Sequence, residues 1–155
     1  MESKILIRKA EPADLTAVYT LIKELAIFEK EPNQPSNSLE KFIQDGTAKQ
    51  PHFHLIVAEI NVQIVGMAMY YFGYSSWKGA MLYLDDLIVK EAYRKHGIGK
   101  KLVDELINIA KEERVSLMKW QVLDWNENAI RFYEKYPIVK DASWIDIKIE
   151  KENLQ

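Results

Sequence analysis

The segment between Leu84 and Lys101 carries side chains suited to proton transfer and to the binding of a phosphate. Asp85 and Asp86 lie inside the nearly continuous apolar run 80–89, and such carboxylates can accept a proton from a nucleophile. Because successive side chains of a strand alternate, we expect the two carboxylates to face opposite sides of a sheet. The run then enters a basic, glycine-containing turn at the predicted start of a helix, where unpaired N–H groups favour phosphate. The sequence therefore predicts a proton acceptor next to an anion site.

The charge of the turn favours a ligand with several phosphates. Residues 90–101 contain five basic side chains and one acidic side chain, a local balance of +4. Arg94 stands where a P-loop requires its first glycine, and Leu102 stands where the dinucleotide fingerprint requires its third. Both of these nucleotide motifs are therefore excluded.

The composition of the chain narrows the classes of protein further. The 155 residues include no cysteine, which excludes a disulfide framework, a thiolate nucleophile and zinc sites with sulfur ligands. Of the three histidines, His52 and His54 lie on one face of a strand, and His96 lies in the basic turn. No third ligand is apparent beside His52 and His54, so we expect no metal. The net charge of −2 argues against a non-specific nucleic-acid binder. No apolar stretch approaches the length of a spanning helix, so we expect no membrane partner and a cytoplasmic location.

The hydrophobic periodicity predicts one mixed α/β domain over residues 1–155. The predicted elements, in order, are a strand around Ile5 and Ile7, helices over 13–30 and 38–44, strands over 54–60, 64–72 and 80–89, a helix over 97–114, a strand over 117–122, a helix over 126–135 and a strand over 143–149. Ser38 is expected to cap the second helix, and Gly46 is expected to end it in a left-handed conformation. Of the five aromatic side chains between residues 70 and 77, we expect three in the core.

A short motif at the start of the third predicted helix, Arg94-x-x-Gly97-x-Gly99, resembles the acetyl-CoA pyrophosphate motif of the GNAT superfamily of N-acetyltransferases. The stretches 21–26, 65–72, 82–87 and 125–127, with Phe132 and Tyr133, are similar to the diamine N-acetyltransferases, which include the spermidine/spermine and thialysine acetyltransferases. The similarity covers essentially the whole chain. It implies a single-domain GNAT fold with a mostly antiparallel six- or seven-stranded sheet and about four helices. It also implies acetyl-CoA as donor, a small primary amine as acceptor, and a homodimer.

The resemblance further implies roles for particular residues. Tyr133 matches the general acid that protonates the leaving thiolate, and Asp85 matches the glutamate placed toward the substrate amine, acting directly or through a water. The backbone N–H groups of Leu87 and Val89, at the strand bulge typical of these enzymes, would polarise the thioester carbonyl and bind pantetheine. The residues implied in coenzyme binding are Leu87, Ile88, Val89, Arg94, Lys95, His96, Gly97, Ile98, Gly99, Lys100, Asn126 and Ala129. Those implied in acceptor binding are Phe28, Glu29, Asp85 and Asp86. Trp77 is added as an acceptor contact because some of the aromatic side chains between residues 70 and 77 could hold an alkylammonium chain by cation–π contact.

Two departures from the family pattern leave the acceptor open. Ser75 stands where polyamine-specific members carry an acid, and Ala142 lies near a second lost acid. Fewer carboxylates would bind a second or third ammonium less well, which favours short diamines, thialysine-like amino acids or another small amine over spermine. Because no cysteine can carry the acetyl group, we expect direct attack in a ternary complex. The alternatives are acetylation of a protein N-terminus or lysine, and a non-catalytic acyl-CoA-binding sensor that would need neither Asp85 nor Tyr133.

Overall fold

The computed structural model describes residues 4–154, which divide into two units between Gln121 and Val122. The first unit contains a five-stranded sheet and three α-helices, and the second contains one α-helix. The mixed α/β class that the periodicity predicts is confirmed. Within the described residues, no helix has both the length and the apolar character needed to cross a membrane.

The sheet follows the order of its strands in the chain. The strands are β1 (Leu6–Lys9), β2 (His54–Ile60), β3 (Gln63–Ser75), β4 (Gly79–Val89) and β5 (Leu117–Trp120). The first four pair antiparallel, whereas β5 pairs parallel with residues 81–84 of β4. The second half of β4, residues 85–89, therefore extends past β5, and within this unit no strand pairs with that edge.

Helices cover both faces of the sheet. One face, called here the α3 face, packs against α3 (Ile98–Glu112), and its buried cluster includes Ile98, Leu102, Leu106, Leu82 and Leu84. The other, called the α1 face, packs against α1 (Leu15–Phe28) and α2 (Leu39–Thr47), and its buried cluster includes Val18, Leu21, Phe42, Met67 and Ile88. The four-residue spacing of the apolar side chains of α3 explains why one stripe of that helix is buried.

Local sequence explains where the helices begin. Ser38 caps α2, as predicted, because its Oγ accepts a hydrogen bond from the N–H of Lys41 at 3.1 Å. Pro12 starts a short 3-10 turn over residues 12–14 that leads into α1. Gly97 precedes α3 with a φ of 74°, a left-handed conformation that a side chain would disfavour.

The structure corrects two local predictions. The turn between β2 and β3 consists of Asn61 and Val62 alone, whose φ values of 48° and 63° match a type I′ hairpin turn, so Gln63 already belongs to β3. The helix α2 continues through Gly46, which therefore does not end it. The absence of a side chain at Gly46 instead allows close packing, because a Cβ there would lie 2.7 Å from Cζ of Phe53.

The described residues form five strands, not the six or seven that the family resemblance implies. The segment 143–149, predicted as a closing strand, lies in the second unit and has no strand partner in the described part of the chain. Its apolar side chains remain in solvent, with Trp144 73% exposed. Alternation of apolar and polar residues predicts a strand only where another strand supplies the hydrogen bonds.

Candidate active site

A β-bulge interrupts the side-chain alternation of β4 at Asp85. Leu84 pairs with Tyr70 of β3, and Asp86 pairs with Met69, the residue next to Tyr70. Asp85 is therefore the one extra residue on the bulged strand. Beyond this point, every side chain of β4 faces the side opposite to the one that the uninterrupted pattern predicts.

The packing of β4 confirms this reversal. Before the bulge, Leu82 and Leu84 pack on the α3 face, whereas after it Leu87 and Val89 pack there. The two carboxylates between these pairs therefore both face the α1 side. The expectation that they point to opposite faces is wrong, because the bulge adds one residue to the alternation.

Three carboxylates, Glu29, Asp85 and Asp86, form what we call the acidic cluster. Burial raises the pKa of Asp86 to about 7, and the charges of Asp85 and Glu29 add to this rise. Burial, followed by the charge of Asp85, raises the pKa of Glu29, and burial also raises the pKa of Asp85. Among the described residues, none of these three carboxylates forms an ion pair with a basic side chain. The acidic cluster therefore favours a bound cation.

The chain after β4 forms a turn suited to an anion. A 3-10 turn over residues 91–93 leads to Lys95 and Gly97, whose φ values are 66° and 74°. The first N–H groups of α3 have no acceptor within the helix, and the helix dipole is positive at this end. A Cβ at Gly97 would meet no atom within 4 Å. The glycine therefore leaves open space in front of the helix, where a phosphate can approach the backbone.

Arg94 links this turn to the acidic cluster. Its Nε donates a hydrogen bond to the carbonyl oxygen of Val89 at 2.9 Å. Its guanidinium carbon lies 5.2 Å from the ring centroid of Phe28, the last residue of α1 and the neighbour of Glu29. The Nη groups make no hydrogen bond or ion pair with the described residues, so they are available to a phosphate.

Backbone N–H groups line the unpaired edge of β4. The N–H of Lys90 donates to the carbonyl of Val65 at 2.8 Å, across the edge shared with β3. Because the N–H groups of a strand alternate between its edges, those of Leu87 and Val89 point away from β3. They face the edge that β5 leaves unpaired within this unit, in a position to bind a carbonyl or amide oxygen.

The remaining predicted coenzyme residues of the first unit have distinct surroundings. Ile88 and Ile98 are buried on opposite faces of the sheet, so their side chains are shielded from a ligand. The Nδ1 of His96 lies 3.3 Å from the carbonyl oxygen of Tyr93. Lys100 pairs with Asp104 at 2.5 Å, and Gly99 is the second residue of α3.

Three predicted site residues belong to the second unit. Asn126 caps α4 (Glu127–Tyr133), because its Oδ1 accepts a hydrogen bond from the N–H of Ala129 at 3.3 Å. Tyr133 is the last residue of α4 and is buried, with its ring centroid 5.2 Å from that of Phe132. Seven residues separate Asn126 from Tyr133, about two helical turns.

The structure does not bring Trp77 to the acidic cluster. Trp77 lies in the turn between β3 and β4, and six residues of strand, about 20 Å, separate Gly79 from Asp85. Of the five aromatic side chains between residues 70 and 77, only Tyr70 is buried, so the expectation of three core positions is wrong. The hairpin of β3 and β4 extends beyond the pairing of Tyr70 with His54, which leaves its outer rings without β2 beside them.

Sequence reasoning missed Tyr83 beside the acidic cluster, and it included Tyr71 only among the five aromatic side chains of the hairpin. Tyr71 and Tyr83 are register partners, and their rings stack with centroids 5.1 Å apart. Tyr83 lies two residues before Asp85, a spacing that places both on one face of a strand. That spacing is visible in the sequence, but the partner of Tyr83 becomes clear only from the register.

The comparison with protein families decides the class of this site. The sequence model described as the acetyltransferase (GNAT) family matches residues 16–136. The chain belongs to the GNAT acetyltransferase family. It is an N-acetyltransferase, an enzyme that transfers an acetyl group to an amine.

Individual relatives confirm the resemblance and the fold. The thialysine N-epsilon-acetyltransferase of Bos taurus is 38% identical over 138 residues, which cover 84% of this chain and 81% of the relative. The spermidine/spermine N(1)-acetyltransferase-like protein 1 of Homo sapiens is 34% identical over 158 residues, which cover 96% of this chain and 23% of the relative. Within the family, the chain therefore resembles the diamine N-acetyltransferases, as expected. A solved aminoglycoside N-acetyltransferase in complex with CoA has a TM-score of 0.78 at 15% identity, covering 96% of this chain and 97% of that chain, which confirms the fold.

Proposed function

We propose that this enzyme transfers the acetyl group of acetyl-CoA to the primary amine of a small cationic acceptor, by direct attack in a ternary complex. The observation that carries the proposal is the junction of an uncompensated acidic cluster with an anion site, through Arg94 and Phe28. The names of the relatives, thialysine and spermidine/spermine acetyltransferases, support an acceptor with an aliphatic amine. A short diamine, a polyamine and a thialysine-like amino acid are the candidate acceptors.

The residues of the anion site fit the phosphates of coenzyme A. Arg94 offers a planar guanidinium, and Gly97 leaves room for close approach to the first N–H groups of α3. The N–H groups of Leu87 and Val89 would hydrogen-bond to the thioester carbonyl and the pantetheine arm. Further contacts to the coenzyme are proposed for Ile88, Lys95, His96, Ile98, Gly99, Lys100, Asn126 and Ala129.

The transfer requires two proton movements. The amine nitrogen forms a bond to the carbonyl carbon while the bond from that carbon to sulfur breaks. Asp85 takes the proton that the amine loses, directly or through a water, and Tyr133 gives a proton to the leaving thiolate. Support for Asp85 comes from its place in the acidic cluster, and support for Tyr133 comes from the family resemblance.

The acidic cluster selects the charge of the acceptor. Glu29 and Asp86 hold the ammonium groups that do not react, while Asp85 faces the amine that does. A bound cation favours the ionised form of each carboxylate, so binding of the acceptor lowers the cost of ionising Asp86. Phe28 is assigned to the mouth of this site by the resemblance and by its place next to Glu29 at the end of α1. The structure does not bring Trp77 to the acidic cluster, so its contact with the acceptor stays a proposal from the sequence alone.

We also propose a homodimer, in which the segment 143–149 pairs with the second copy of the chain. Its exposed apolar side chains, such as Trp144 and Ile147, support this assignment. A cytoplasmic location is proposed from the composition of the sequence.

An acetylation screen with acetyl-CoA tests the proposed function. The acceptors are putrescine, cadaverine, spermidine, spermine, thialysine, free amino acids and a peptide with one lysine, and release of the coenzyme thiol reports turnover. We expect a small diamine or thialysine to be the best acceptor. The variant Asp86→Asn should lower kcat/KM for it, whereas the control Asp45→Asn on α2 should not.

The rival functions give different results in the same screen. Acetylation of the peptide alone would indicate a protein acetyltransferase and contradict the proposed acceptor. Binding of coenzyme A without turnover of any acceptor would indicate a sensor. Turnover of a diamine with Asp86→Asn unchanged would remove the acidic cluster from acceptor binding.

A further inference from the structure

The stacked rings of Tyr71 and Tyr83 form an aromatic surface next to the acidic cluster. The two residues face each other across β3 and β4, with ring centroids 5.1 Å apart and ring planes inclined by 28°. Tyr71 is 37% exposed, whereas most side chains on the inner part of β3 are buried. Tyr83 is half-buried, so the pair presents a flat apolar area and the negative face of an exposed ring to a ligand.

The register places this aromatic pair on the same face as the acidic cluster. Met67 and Met69 of β3 pack on the α1 face, and Tyr71 continues that alternation. Tyr83 and Asp85 lie two residues apart before the bulge takes effect, so their side chains are about 7 Å apart along one face. The charge of Asp85 also contributes to a raised pKa of Tyr71, as expected for neighbours.

We propose that Tyr71 and Tyr83 select the acceptor by binding its chain beyond the reacting amine. This inference rests on the proposed function and assigns it a specificity-determining pair. With the reacting nitrogen at Asp85, the methylene groups of an α,ω-diamine lie over the two rings. The second ammonium then lies against the ring faces, which attract it. A monoamine of the same length leaves this second contact unmade, so the pair favours acceptors with two cationic groups.

The test compares butylamine, putrescine and cadaverine as acceptors of the full chain with acetyl-CoA. The variant Tyr71→Leu removes a ring face, Tyr71→Phe retains it, and Tyr74→Leu removes an exposed ring from the opposite face of the same strand. We expect Tyr71→Leu to lower the ratio of kcat/KM for diamine over monoamine by about 2- to 30-fold. Tyr71→Phe should restore most of the ratio, and Tyr74→Leu should leave it unchanged.

Each other outcome overturns the inference in a recognisable way. An unchanged ratio in Tyr71→Leu, or an equal loss in Tyr74→Leu, would overturn the role of the pair while turnover of the wild type keeps the proposed function. A wild-type chain that acetylates thialysine but none of these amines would overturn the inference and keep the proposed function, whereas one that binds coenzyme A and acetylates no small amine, thialysine included, would overturn both. Thermal unfolding of each variant shows whether a lost ratio comes from a folded protein, and Tyr71→Phe provides a second folded variant for the comparison.

Discussion

Asp86 faces the same side of the sheet as Asp85, although the two residues are adjacent in β4. The bulge produces this arrangement by inserting Asp85 between Leu84 and Asp86 without a partner on β3. Two carboxylates that would diverge in a regular strand therefore converge near Glu29. Their mutual repulsion, added to burial, keeps a proton on Asp86 at a pH at which an ordinary carboxyl is ionised.

The raised pKa of Asp86 predicts a pH-dependent gain in stability for Asp86→Asn. The pKa is about 7 in the folded chain and about 3.9 in an unfolded chain. Between these values the folded state binds more protons, so the free energy of unfolding falls as the pH rises. Asparagine removes this titration. We expect Tm of the variant to be near that of the wild type at pH 4 and clearly higher at pH 8.

Thermal unfolding followed by circular dichroism at both pH values checks this prediction. The control Asp45→Asn removes a half-buried carboxylate on α2 that pairs with Lys41, outside the acidic cluster. It should not reproduce the gain in Tm at pH 8. An Asp86→Asn variant whose difference in Tm is the same at both pH values would show that Asp86 titrates normally.

The periodicity of the sequence was sufficient to predict most of the elements of the fold. The helical spacing of Ile98, Leu102 and Leu106 predicts the buried stripe of α3, and the cap at Ser38 is confirmed. The family resemblance implies a bulge in this strand, but the periodicity does not place it at Asp85, because one extra residue leaves no trace in an apolar run. The role of Gly46 depends on the approach of Phe53, which only the tertiary packing determines.

Some residues of the candidate site were also predictable from the sequence, whereas others were not. The basic turn and its glycines have a local signature, so the sequence predicts Arg94 and Gly97. The acidic cluster joins the end of α1 to the middle of β4, and the sequence carries no signal for that contact apart from the family resemblance. The link from Arg94 to Phe28 is also non-local, since 66 residues of sequence number separate the two.

Gly97→Ala is predicted to weaken the binding of coenzyme A. A methyl group at Gly97 would enter the open space before α3 and also strain the backbone at a φ of 74°. The matched control is Gly79→Ala, which has a φ of 103° in the turn before β4 and lies far along the strand from Asp85. Each substitution should lower the free energy of unfolding by about 1 kcal/mol.

Calorimetric titration with coenzyme A separates backbone strain from the loss of a phosphate site. The dissociation constant should rise about tenfold or more in Gly97→Ala and stay at the wild-type value in Gly79→Ala. Equal affinities in the two variants would place the phosphates elsewhere on the chain.

Arg94→Lys should weaken coenzyme binding even though it preserves the charge. Lysine cannot reproduce both the hydrogen bond to the carbonyl of Val89 and a planar contact with a phosphate. Hydrogen bonds of charged groups contribute about 1.5–3 kcal/mol, so the dissociation constant should rise about 10- to 100-fold. The control Lys111→Gln removes a basic residue at the other end of α3. The control should bind coenzyme A as the wild type does, and a wild-type dissociation constant in Arg94→Lys would show that positive charge alone is sufficient at this position.

Tyr133→Phe is predicted to lower turnover without weakening the binding of coenzyme A. The variant removes only the hydroxyl that we assign as proton donor, and loss of general acid catalysis costs about 100-fold or more in rate. Tyr136→Phe, three residues further along the second unit, is the matched control. Steady-state kinetics and calorimetric titration of both variants check the prediction. A wild-type kcat in Tyr133→Phe would remove this tyrosine from the proton transfer.

Asp14→Asn should destabilise the first unit through the ion pairs that connect β1 to β2. Arg8 binds Asp14 through both of its Nη atoms, at 2.7 and 3.1 Å, and binds Glu59 at 2.6 Å. The guanidinium holds the pKa of Asp14 below its ordinary value, so its contribution to stability is present above about pH 3.9 and is lost as the pH falls further. We expect a loss of about 2 kcal/mol at pH 7, since the pair is mostly shielded from solvent. Urea unfolding should show this loss shrinking toward pH 3, and a loss below 0.5 kcal/mol, the size for an ordinary surface pair, would contradict the structural role of Asp14.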